Sequence, residues 1–134
     1  MKLFVDTSVW SLALRRDRLD GAPEVSCLGD ALERGEAVYT TGLVLQKLLQ
    51  GFTGAKAHRQ IVTRLTALPF VMPDPGDHVA AAALRNRCRR RGVQVTTIDA
   101  VLAQLCIRHD LTMLSTDQDF PHIARVRPFR VWHP

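Results

Sequence analysis

The chain has 134 residues, 46% of them hydrophobic, and carries 18 Lys and Arg against 13 Asp and Glu for a formal net charge of +5. That length suits a single domain, residues 1–134, able to bury roughly two-thirds of its unfolded surface without covalent staples. Cys27, Cys88 and Cys106 are odd in number and lack close or His-rich spacing, which argues against a disulfide scaffold or a zinc site. No apolar window approaches the roughly 18 residues of a membrane span, so a soluble cytoplasmic protein is expected.

Lys2 to Val5 is a short apolar run ending at Asp6, as in a buried strand with an acid at its C-terminal tip. Thr7 and Ser8 begin a helix through Val9, Trp10, Leu12 and Leu14, and the polar stretch Arg15 to Gly21 breaks it. Pro23 opens a second helix through Val25, Leu28 and Leu32 to Gly35. Ala37 to Thr40 reads as a second strand, and Thr41 as the N-cap of a helix from Gly42 to Phe52. Lys47 falls off the centre of that helix's apolar face. Ile61, Leu65 and Leu68 mark a helix from Lys56 to Leu68, closed by Pro69. Phe70 to Met72 is apolar but short.

Pro73 to Asp77 is the most turn-rich segment, and the helix after it is expected from about His78 to Arg91, stopped by Gly92. Thr96 or Thr97 caps an apolar helix containing Ile98, Val101, Leu102, Leu105 and Cys106. Leu111 to Ser115 reads as a strand, Asp117 to Ala124 as a short helix, and Phe129 to Trp132 as a last strand. Short strands alternating with helices predict an α/β layer fold with a mainly parallel sheet.

In such a sheet, ligands gather beyond the C-terminal ends of the strands, near the point where strand order reverses. Asp6 and Asp117 follow strands, and Asp99 stands in the first turn of the helix after Thr97. Converging carboxylates raise one another's pKa, a cost that a cation offsets, and magnesium suits hard oxygen ligands. Each acid also has a plainer reading. Asp6 could cap the helix starting at Thr7, Asp99 could sit at a helix N-terminus for its dipole, and Thr116 with Asp119 fits a capping box.

Val5-Asp6-Thr7-Ser8-Val9-Trp10 resembles the opening of PIN-domain ribonucleases of the VapC toxin class. Leu45-Gln46-Lys47-Leu48-Leu49-Gln50-Gly51, Ile98-Asp99-Ala100 and Ser115-Thr116-Asp117-Gln118-Asp119-Phe120 resemble the three later blocks of that family, in order. The resemblance implies a PIN-like three-layer α/β/α fold and a magnesium- or manganese-dependent endoribonuclease toxin that hydrolyses RNA phosphodiester bonds. It makes Asp6, Asp99 and Asp117 catalytic metal ligands, with Asp119 as a further ligand. It also implies a homodimer and a neutralising antitoxin partner. Lys47 departs from the pattern, which expects glutamate. An ammonium there is expected to pair with Asp6, Asp99 or Asp117, lower their pKa values and suppress metal binding and cleavage.

Arg85, Arg87, Arg89, Arg90 and Arg91 lie within seven residues. Arg87, Arg90 and Arg91 are read as RNA-backbone contacts, against the alternative of a solvated helix end whose cations complement its dipole. Trp10-Ser11-Leu12-Ala13-Leu14 is more apolar than one helix face needs, and the antitoxin is expected there, near the groove between the second and third helices. Other readings remain. A haloacid-dehalogenase-type phospho-acceptor at Asp6 would need an acid two residues on, where Ser8 stands. A PIN fold that binds RNA or protein without cutting is the main alternative.

Overall fold

The computed structural model describes residues 1–15 and 21–134. Three parallel strands form the sheet: β1 (Leu3–Val5), β2 (Val38–Tyr39) and β3 (Thr112–Leu114), in the order β2-β1-β3. Leu3 and Phe4 face Val38 and Tyr39 on one side, and Leu3, Phe4 and Val5 face Thr112, Met113 and Leu114 on the other. Single parallel bridges extend the sheet at both edges, Thr40 to Phe70 and Met113 to Val131. The expected strand Phe129 to Trp132 is therefore one bridge held by Met113 N–H to Arg130 and Trp132 N–H to Met113.

The helices are α1 (Thr7–Leu14), α2 (Pro23–Glu33), α3 (Gly42–Gly51), α4 (Ala55–Thr66), α5 (Pro75–Arg90), α6 (Thr97–His109) and α7 (Asp119–Val126). α1 packs on α2 and α3, and α3 on α4; α5 packs on α6 and α7, and α6 on α7. Right-handed crossovers explain the two sets. The chain steps outward from β1 through β2 to Phe70 with α1 to α4 on one face, then returns past β1 to β3 with α5 and α6 on the other. The result is an α/β/α sandwich in which β1 is covered on both faces, as its completely buried Leu3, Phe4 and Val5 show. Strand order reverses between β1 and β3, so their C-terminal tips bound the crevice that this topology offers a ligand.

Three local expectations need correction. α5 begins at Pro75, three residues before His78, because Asp74 and Asp77 form a capping box: Asp77 N–H donates to Asp74 Oδ1 at 2.8 Å, and Asp74 N–H to Asp77 Oδ2 at 3.0 Å. Pro75 is at N1, where its missing N–H costs nothing. Asp77 is therefore a buried anchor, 1% exposed, holding Arg108 and Gln104 of α6. Burial alone would raise its carboxyl, but the Asp74 amide, Gln104 and Arg108 together hold it below the ordinary carboxylate value. At its far end α5 stops as expected, with Gly92 at φ +77 beyond the C-cap.

Second, Thr116 and Asp119 form no capping box. α7 starts at Asp119, and the Asp117 carboxylate accepts the Asp119 N–H at 3.0 Å in its place. Third, Trp10 is 4% exposed and belongs to the core, so it offers no surface to a partner; Leu14 is only half-buried. The polar break read at Arg15 to Gly21 lies, for residues 16–20, outside the described residues.

Candidate metal centre

Asp6 leaves the tip of β1, where its N–H donates to Leu114 O of the neighbouring strand at 2.9 Å. It is the N-cap residue of α1, yet its side chain makes no cap hydrogen bond. Its Oδ2 accepts from Ser8 Oγ at 3.0 Å and Ser115 Oγ at 2.8 Å. The two hydroxyls in turn accept backbone amides from the loop after β3, Thr116 N–H on Ser8 at 3.1 Å and Asp117 N–H on Ser115 at 2.9 Å. The capping reading of Asp6 therefore applies to its backbone and not to its side chain.

Asp99 lies in the first turn of α6 and is 8% exposed. Capping there is done by Thr96, whose Oγ accepts the Asp99 N–H at 3.1 Å. The Asp99 carboxylate is left for something else. Oxygens of Asp99, Asp117 and Asp119 all lie within 4.8 Å of one another. The Asp99 carboxyl is pushed up to about 6, first by its own burial, then by the charges of Asp6 and Asp117 and by the hydrogen bond and charge of Asp119. Asp6, Asp99, Asp117 and Asp119 thus form one electrostatic unit drawn from the junction of β1 and α1, the first turn of α6, the loop after β3 and the start of α7.

Lys47 does not behave as expected. It is exposed on α3, and among the described residues it forms no ion pair with Asp6, Asp99 or Asp117. It is not among the groups that tune Asp99, whose carboxyl is raised and not lowered. The helical spacing explains this: Val44 and Leu48 take the buried face of α3, and Lys47 lies off it. Arg87, Arg90 and Arg91 are exposed at the C-terminal end of α5.

Ser8 and Ser115 escaped the sequence reading. The signal was the hydroxyl residue two places before Asp117, but the contact that gives it meaning spans 109 positions, from Ser115 to Asp6.

A family model described as PIN domain matches residues 3–126. Ribonuclease VapC11 of Mycobacterium tuberculosis is 29% identical over 126 residues, covering 92% of both chains. Among solved structures, FitAcB from Neisseria gonorrhoeae has a TM-score of 0.73 at 20% identity, over 98% of this chain and 97% of that one. Mycobacterium tuberculosis VapC20, described as a Sarcin-Ricin loop cleaving toxin, has a TM-score of 0.68 at 19% identity, over 96% of this chain and 99% of that one. With its strand order, its crevice between β1 and β3 and the match from residue 3 to residue 126, the chain belongs to the PIN-domain family.

Proposed function

We propose that this chain is a magnesium-dependent endoribonuclease toxin of a toxin–antitoxin pair, with its activity reduced by lysine in place of glutamate at position 47. The observation that carries the reading is the uncompensated charge at the strand tips, where Asp99, Asp117 and Asp119 converge within 4.8 Å and Asp99 rises to about 6. Such a set gains most from a hard divalent cation, so the residues present fit Mg2+ or Mn2+. Asp99, Asp117 and Asp119 would hold it, with Asp6 through Oδ1, which has no protein donor among the described residues. When bound, the ion supplies positive charge for the phosphoryl oxygens and an ordered water.

The chain's own groups set the stage for that chemistry. Ser8 and Ser115 keep the Asp6 carboxylate oriented. The shortfall at position 47 leaves the site with three or four acids and no carboxylate from α3. Lys47 then weakens metal affinity by omission and by long-range repulsion, without plugging the site. The ribonuclease name of the M. tuberculosis relative supports RNA as substrate. The exposed Arg87, Arg90 and Arg91 suit its phosphates. An antitoxin and a second copy of the chain are the proposed partners.

Lys47→Glu is the test. It should raise magnesium-dependent RNA cleavage at least tenfold, by about 1.4 kcal/mol or more of transition-state stabilisation, with chelator abolishing it. Equal cleavage by both proteins removes Lys47 from the account. A second reading, a silent module that binds RNA or protein, is favoured by Lys47 itself, and inert Lys47→Glu protein that still binds RNA would establish it.

A further inference from the structure

We propose that the cavity between the C-terminal half of α5 and the loop from Val93 to Thr96 is a nucleotide subsite for single-stranded RNA, with Arg85 and Arg89 on phosphate and Gln94 on a base edge. This rests on the ribonuclease reading above. The cavity measures about 500 Å³ and is lined by Arg85, Arg89, Val93, Gln94, Val95 and Thr96, a size within the usual range for small-molecule sites. Its lining holds two cations and no acid.

Arg85 distinguishes this place from an ordinary helix end. The dipole accounts for Arg87, Arg89 and Arg90 in the last turn of α5, but Arg85 precedes that turn. It is half-buried, and its Nε donates to Val95 O at 2.8 Å, across the loop. That bond fixes the plane of the guanidinium while its two terminal nitrogens have no protein acceptor among the described residues. A preset planar fork with free donors matches a phosphate. Arg89 is steadied in turn by Asn86 Oδ1 at 2.8 Å.

Position gives the charge its use. Thr96 lines the cavity and caps α6, its hydroxyl accepting the backbone N–H of Asp99 at 3.1 Å, so the loop that forms the cavity runs directly into the helix turn that carries Asp99. Val93 and Val95 add an apolar side and Gln94 a donor–acceptor pair, the mixture by which proteins hold splayed-out bases. An acidic peptide would use the cations alone and leave that wall idle.

The experiment is fluorescence anisotropy of a labelled, mixed-sequence single-stranded RNA in chelator, which prevents cleavage, across a salt series. Arg85→Lys, which keeps the charge and loses the fork, and Arg89→Ala should each weaken binding about tenfold, and Arg89→Ala should lower the salt slope by about 1. Gln94→Ala should alter preference among homopolymeric RNAs at unchanged slope. Arg64→Ala, exposed on α4, should change nothing. Full-strength RNA binding by both arginine variants, at unchanged melting temperature, overturns the subsite and leaves the nuclease reading intact. Variants that keep RNA but lose polyglutamate overturn it in favour of an acidic partner. A chain that cuts no RNA even as Lys47→Glu, yet shows the arginine-dependent binding, overturns the nuclease reading alone.

Discussion

Asp99→Asn, studied without metal, isolates the electrostatic cost of the carboxylate cluster. Asp99 is buried and its carboxyl rises from 3.8 to about 6, which at ~1.4 kcal/mol per pH unit penalises the ionised form by about 3 kcal/mol. A raised carboxyl binds protons more readily in the folded state between those values. Its contribution to stability therefore falls as pH rises from 3.8 toward 6 and stays low above. Removing the charge should stabilise the metal-free protein at pH 7.5 by up to about 3 kcal/mol, or roughly 10 °C in Tm for a chain this size. At pH 4 the two proteins should melt together. On the proposed reading Asp99 is one of the metal ligands, so added magnesium should stabilise the wild-type chain more than the variant and reverse the order. Differential scanning fluorimetry in chelator and in magnesium, over that pH range, provides all four comparisons. A variant equal to or less stable than wild type at pH 7.5 in chelator, or a gap that does not change with pH, would refute the reasoning.

Ser115→Ala should leave the fold intact and weaken magnesium binding about 10-fold or more, since it frees Asp6 Oδ2 from an orienting donor; isothermal titration of Mg2+ checks it, with Ser115→Thr expected to restore part of the loss. Arg108→Ala should cost about 2 kcal/mol, below the range for a fully buried pair because the guanidinium is 40% exposed and Gln104 still donates to Asp77. The same change should move acid denaturation to higher pH, since Asp77's lowered carboxyl stabilises the fold above its unfolded value and loses that effect as pH falls. Native alkylation should modify Cys27, half-buried near the surface, before the buried Cys88 and Cys106. Burial also pushes the Cys106 thiol far up; mass spectrometry reads the order.

Much of the fold was legible because local chemistry writes it. Pro23 starts α2, Gly92 ends α5 and Thr96 caps α6, each through a preference of its own backbone or hydroxyl. Legibility failed where one cue served two ends. Pro73 to Asp77 reads as a turn by its prolines, yet Asp74 and Asp77 with Pro75 at N1 also spell a helix start. Phe129 to Trp132 has strand composition, but only a single bridge to Met113 forms. At the site, Asp6, Asp99 and Asp117 are legible from their positions after strands or at a helix start, whereas any pairing of Lys47 depends on side-chain direction. The spacing of α3 places it off the buried face, and no local pattern says where an off-face lysine reaches.

The Asp6 to Ser115 bond also orders events in time. Its partners lie 109 positions apart, and Asp117 and Asp119 come later still, so a chain emerging from the ribosome has no assembled carboxylate centre until β3 and the start of α7 are available. Loop-closure entropy delays such distant pairings even then. A nascent or truncated chain ending before Ser115 holds Asp6 and Asp99 but lacks the residues that complete the carboxylate centre.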